Sequence, residues 1–96
     1  MGFSWNVEKN ELLKSERGLS FERIVVAIEE GHLLDVLAHP NTEKYGNQKL
    51  LIVEIEGYAI CVPFVQETNG DLFLKTLFPS RRLTQQYNLE RRNEHD

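Results

Sequence analysis

The stretch Lys75-Thr76-Leu77-Phe78-Pro79-Ser80-Arg81-Arg82 gathers three cations and a hydroxyl into eight residues. Ser80, directly after Pro79, reads as a helix N-cap. Arg81 and Arg82 would then open a helix at the end where the macrodipole is already positive, a placement disfavoured by about 0.3 kcal/mol or more per charge. An anion reverses that sign: free backbone N–H groups, the Ser80 hydroxyl and two guanidinium groups suit a phosphate. Lys75, on the segment leading in, supplies an auxiliary cation. The same residues also read as a solvated face, or as partners for acids on the N-terminal helices. A second group, His39 and Tyr45, lies on a polar loop. A histidine titrates near neutral pH and moves protons, and a tyrosine stacks on a base. Each also reads as a loop residue with a local hydrogen bond or a partly buried ring.

Other chemistries find no support in the spacing. His32, His39 and His95 form no ligand pattern with cysteines or carboxylates, so no metal is expected. There is neither a P-loop nor a GxGxxG run, and no cofactor is expected. Cys61 sits in mid-strand and reads as a small buried hydrophobe in preference to a nucleophile. As the one cysteine it forms no internal disulfide. Tyr87, four residues after Leu83, reads as core-facing.

These residues need elements to hold them. Phe3-Ser4-Trp5 reads as a short edge strand. Asn6 caps a helix over Val7–Arg17 that Gly18 ends, and Ser20 caps a second helix closed by Gly31. Phe21, Ile24, Val25 and Ile28 form its apolar stripe. His32–Ala38 reads as a strand and His39–Gln48 as a loop. Lys49–Glu56 alternates as a strand does, and Glu56-Gly57 makes a tight turn into Tyr58–Val65. Pro63 places the end of that strand at a sheet edge or bulge. Asn69-Gly70 marks a hairpin into a last strand, Leu72–Phe78, followed by a helix from Ser80 to about Arg92. The expected fold is therefore α+β: two N-terminal helices, a four-stranded antiparallel sheet and a C-terminal helix, with Val53, Ile60 and Leu74 packed on the Phe21–Ile28 stripe.

A chain of 96 residues builds one small domain, 1–96. The longest uncharged apolar run, Tyr58–Val65, is too short to span a bilayer. The N-terminal residues lack the basic and apolar regions of a signal peptide, which leaves cytoplasmic residence as the expectation. The net charge of −4 argues against nonspecific binding to polyanions, but the charge is uneven. Residues 1–43 carry four basic and eight acidic side chains, whereas residues 75–96 carry five basic and three acidic. An acidic front and a basic tail would attract different partners.

The segment Asn10 … Arg17-Gly18-Leu19-Ser20-Phe21-Glu22 resembles the "N…K-H-G-V-S-F-E-E" opening of the BrnT family of toxins from toxin–antitoxin pairs. Phe78-Pro79-Ser80-Arg81-Arg82-Leu83-Thr84 resembles that family's "I-S-A-R-R-A-T" segment. Arg17 falls on the histidine of the first motif and Glu16 on its lysine, while Arg81 and Arg82 fall on the paired arginines of the second. The resemblance implies a small relative of RelE-type ribonucleases: a metal-independent endoribonuclease, neutralised by an antitoxin that often carries a ribbon-helix-helix DNA-binding domain. Such chemistry needs a base at the 2′-OH, cations for the pentacoordinate phosphate and an acid for the departing oxygen. On this reading Arg81 and Arg82 stabilise the phosphate, Lys75 assists, and His39 or Tyr45 transfers protons or stacks a base. Ser80, Arg17 and Tyr87 complete the candidate RNA-binding set. DNA would be reached only through the antitoxin, because the chain itself is acidic. From a different class comes the alternative of an inactive interaction module, whose basic tail docks a ribbon-helix-helix partner.

Overall fold

Three short polar side chains start the three main helices, as their residue types dictate. In the computed structural model, which describes residues 2–87 and Leu89, Asn6 Oδ1 accepts the Lys9 N–H at 2.8 Å and opens α1 (Val7–Arg17). Ser20 Oγ accepts from Arg23 N–H and opens α2 (Phe21–Glu29). Ser80 Oγ accepts from Leu83 N–H and opens α4 (Arg81–Gln86). Each bond satisfies an N–H that has no partner inside its own helix. Gly18, at φ +68°, ends α1 in the left-handed conformation, and its N–H reaches the Lys14 carbonyl.

The strands are β1 (Phe3–Trp5), β2 (Leu33–Ala38), β3 (Lys49–Ile55), β4 (Tyr58–Gln66), β5 (Leu72–Leu74) and β6 (Phe78–Pro79). They form one mixed sheet in the order β1-β5-β4-β3-β2, with β6 also paired to β4. The α+β class and the two N-terminal helices are as expected, but the four-stranded antiparallel sheet is not. Phe3–Trp5 joins the sheet as an edge strand parallel to β5. The loop after β2 contains a short helix, α3 (Thr42–Tyr45), capped by Asn41. The expected strand Leu72–Phe78 breaks into β5 and β6.

Pro63 causes that break. It lies inside β4, opposite Leu50 of β3, at a bulge and not at a sheet edge, because the register shifts by one residue between Phe64↔Leu74 and Cys61↔Phe78. Its carbonyl accepts the Lys75 N–H at 2.8 Å, so the position that should return an N–H to the same neighbour holds a proline ring. The ladder loses one bond there, and Lys75–Leu77 leaves the sheet before the chain re-pairs at Cys61↔Phe78 and Ile60↔Pro79.

Each face of the sheet carries an apolar cluster. Leu13, Phe21, Ile24 and Ala27 pack on Leu51, Val53, Ile60, Val62 and Leu74, which is the predicted core. Leu50, Ile52, Ala59 and Cys61 face the other way, against Leu83, Tyr87 and Leu89. The extension of the last helix to Arg92, like His95, lies outside the described residues. Cys61 is buried, and desolvation pushes its thiol up to about 11, which fits a packing role.

Asn10 joins the two front helices. Nearly fully buried, it accepts the Phe21 N–H on Oδ1 at 2.8 Å and donates through Nδ2 to Glu22. Asn10→Ala leaves the Phe21 N–H unpaired and is expected to cost about 1–3 kcal/mol in chemical denaturation. The Asn10 bond is also the main reason that the Glu22 carboxyl titrates below its ordinary value. A depressed carboxyl contributes stability above its unfolded-state pKa, near 4.5, and loses it as pH falls through the lower folded value. Asn10→Ala should therefore weaken that acid-side slope, and an unchanged slope would dissociate Glu22 from the bond.

Candidate functional site

The turn between β3 and β4 has two residues, Glu56 at φ +53° and Gly57 at φ +78°. Two positive φ angles in a two-residue hairpin match the twist of the strands. Glycine adopts that conformation freely, whereas Glu56 is the one non-glycine residue with positive φ among those described. Its carboxylate receives Arg23 of α2 at 2.8 Å, at the end of the sheet. Arg17, Leu19, Arg23, Glu56, Tyr58 and Pro79 line one open pocket there, of about 400 Å³. The lining thus combines two arginines, one glutamate and one tyrosine with apolar residues such as Leu19, Ile60 and Pro79, and Arg23 and Glu56 are paired within it. The pocket holds one more positive than negative group, within a chain of net charge −4.

Arg17 reaches this pocket because α1 ends at Gly18, where the chain turns into α2 beside the β3–β4 hairpin. Pro79 reaches it from the far end of the sequence, because β6 pairs with β4 at Ile60. Ser80 follows at once. Its N–H donates to the Ala59 carbonyl at 2.9 Å, and its carbonyl accepts the Thr84 hydroxyl at 2.7 Å. Fully buried, Thr84 also accepts the Ala59 N–H at 2.9 Å. These three bonds fix the first turn of α4 to β4, and Arg81 and Arg82, both exposed, follow Pro79 of the pocket lining by two and three residues in the chain. Thr84→Val keeps the shape but strands the Ala59 N–H, and is expected to cost about 1–3 kcal/mol by thermal or chemical unfolding.

The structure does not bring the remaining candidates to this place. His39 and Tyr45 lie beyond Ala38, which pairs with Lys49, at the opposite end of β3 from Glu56. Seven residues of strand separate the two ends by about 20 Å. There the His39 and Tyr45 rings stack at 4.6 Å, and His39 Nδ1 accepts the Asn41 N–H. Their contacts are those of loop residues. Lys75 is anchored at Pro63, four residues along β4 from Ala59, and its ammonium turns the other way, over the Phe73 ring at 5.5 Å. It therefore does not join Ser80 and the two arginines at one phosphate. Ser80 Oγ accepts the Leu83 N–H as the helix cap, and α4 spans Arg81–Gln86. Tyr87 donates its hydroxyl to Asp35 at 3.3 Å and packs on the α4 side of the sheet. Burial, with Asp35 close by, raises its pKa. It ties α4 to β2.

Sequence reasoning missed Arg23, Glu56 and Tyr58. One signal was available: glutamate is a poor choice for a two-residue hairpin turn, where Asn, Asp and Gly are favoured. Among the described residues, no cluster of His, Cys, Asp or Glu has the arrangement of a metal site, and no helix is long and apolar enough to cross a membrane. Comparison with protein-family models, curated proteins and solved structures gives no match for the chain.

Proposed function

We propose that this protein is a metal-independent endoribonuclease, the toxin of a toxin–antitoxin pair, with its reaction centre in the pocket of Arg17, Arg23, Glu56 and Tyr58. One observation carries the reading. The two segments that resemble the BrnT family stand at opposite ends of the sequence, yet Arg17-Gly18-Leu19 and Pro79 line the same pocket.

The residues supply each part of a 2′-OH transesterification. The Glu56 carboxylate accepts the 2′-OH proton as O2′ bonds to phosphorus. Arg17 and Arg23 take up the charge that grows on the non-bridging oxygens. The Tyr58 hydroxyl gives its proton to O5′ as the P–O5′ bond breaks. A 2′,3′-cyclic phosphate and a 5′-hydroxyl result, and the proton on Glu56 returns to Tyr58 through solvent. Arg81 and Arg82 hold phosphates next to the scissile one. The partner is an antitoxin of ribbon-helix-helix type, which brings the complex to DNA, and the pair works in the cytoplasm.

The test is RNA cleavage by the purified chain in excess EDTA. Cyclic-phosphate ends should form, and RNA with 2′-O-methyl groups should survive. Expression should arrest growth, with relief from a co-expressed neighbouring gene for the antitoxin. A chain that cleaves nothing and is harmless removes the toxin reading.

An apolar groove favours the second reading, an inactive module that docks a ribbon-helix-helix protein. Phe3, Leu33, Val36, Leu51, Phe64 and Leu72 line about 450 Å³ at the end of the sheet away from Glu56. Leu33 and Val36 are 39% and 46% exposed. A harmless chain that co-purifies with such a partner identifies this case.

A further inference from the structure

Between Asp71 and Glu90 the sequence holds no acidic residue, although the chain as a whole has more acids than bases. The three cations of that stretch, Lys75, Arg81 and Arg82, are all exposed. Two phenylalanines alternate with them. Phe73 lies opposite Val65, and Phe78 opposite Cys61. Residues directly opposed across a sheet point to one face, and Leu72 and Leu74 point into the core on the other. Phe73 and Phe78 therefore share the α4 side of the sheet, their anchor points four residues, or about 13 Å, apart along β4. Phe78 is 39% exposed and Phe73 half-buried. Lys75 departs from β4 between them and sets its ammonium over Phe73. Glu67, held by Ser4 beside Phe73, closes the row at that end.

The order along this face is aromatic, cation, aromatic, two cations. Contiguous apolar patches suit protein partners. Isolated rings separated by cations suit single-stranded nucleic acid, whose bases stack on the rings while its phosphates meet the charges. We infer that Phe73, Lys75, Phe78, Arg81 and Arg82 form a track for unpaired RNA on the α4 side of the sheet, which meets the pocket on the other face only at the β6 edge, where Phe78 adjoins Pro79. Bases stack on Phe78 and Phe73, and the backbone follows Lys75 and the arginines. The track rests on the ribonuclease reading and names its substrate as single-stranded RNA.

Binding is measured apart from cleavage by fluorescence anisotropy of 2′-O-methyl oligonucleotides, about ten nucleotides long, in EDTA. The single strand should bind at least about tenfold more tightly than its duplex. Phe78→Ala and Phe73→Ala should each weaken it by about tenfold or more. Phe78→Leu, which keeps the apolar bulk but removes the ring, should act like Phe78→Ala and guards against a folding defect. Lys75→Ala should lower the salt slope by about 0.7. Equal affinity for duplex and single strand, or binding indifferent to both rings, overturns the track even if cleavage is seen. Capture of an acidic peptide in place of RNA overturns it too. Ring-dependent binding of the single strand without any cleavage leaves the track standing and removes the catalytic reading alone.

Discussion

Replacing Glu56 with Asn is expected to slow RNA cleavage by about 10²-fold or more without loss of stability. The activity term is the removal of a general base, typically worth about 10²–10⁴-fold. The stability term has two opposing parts. Glu56 sits at φ +53°, where a non-glycine residue costs roughly 1–2 kcal/mol and asparagine is better tolerated. Against this stands the ion pair with Arg23, whose partners are 79% and 42% exposed and which contributes only about 0.2–1 kcal/mol. The strain is the larger part, so the unfolding midpoint should hold or rise. Glu56→Asp, which keeps the carboxylate and also suits the turn, should retain part of the activity. Full activity in the Asn variant would place the base elsewhere. A drop in stability beyond about 1 kcal/mol would make the Arg23 pair structural.

Residues whose partners lie within a few positions were legible in the sequence. The caps Asn6, Ser20 and Ser80 bond to N–H groups three residues on, so residue type alone located α1, α2 and the start of α4. The Phe21–Ile28 stripe and the alternation of Lys49–Glu56 likewise named the core faces. What depended on pairing between distant segments was not legible. The parallel contact of Phe3–Trp5 with β5 has no local signal. The break after Leu74 is dictated by the Pro63 ring on the neighbouring strand. His39 looked chemically apt, and topology sets it at the far end of β3 from the pocket, while Arg23, Glu56 and Tyr58 look ordinary in sequence and come to one pocket only through a helix and a hairpin. Arg81 and Arg82 stood out because their charge opposes the local dipole, and that anomaly remains in the structure.

The Arg81→Ala, Arg82→Ala double variant follows from that anomaly, with an expected loss of about 10²–10⁴-fold in cleavage and of toxicity in cells. Each lost charge-assisted contact to a phosphate corresponds to roughly 1.5–3 kcal/mol, or about 10–100-fold in rate. The fold has no need of the two charges. Both side chains are exposed, they open a helix whose first turn already repels them, and α4 is held by Ser80, Thr84 and Leu89. Removing them should leave the unfolding midpoint unchanged or raise it by about 0.3 kcal/mol or more per charge. Thr84→Val supplies the contrast: it keeps both arginines but loosens the turn that aims them, so it should lose stability and activity together. Lysine at both positions keeps the charge but not the two-pronged geometry, and should recover only part of the rate. A double variant that is folded and fully toxic would take Arg81 and Arg82 out of the site. Full recovery by lysine would leave them as general electrostatic attraction for RNA rather than contacts to particular phosphates.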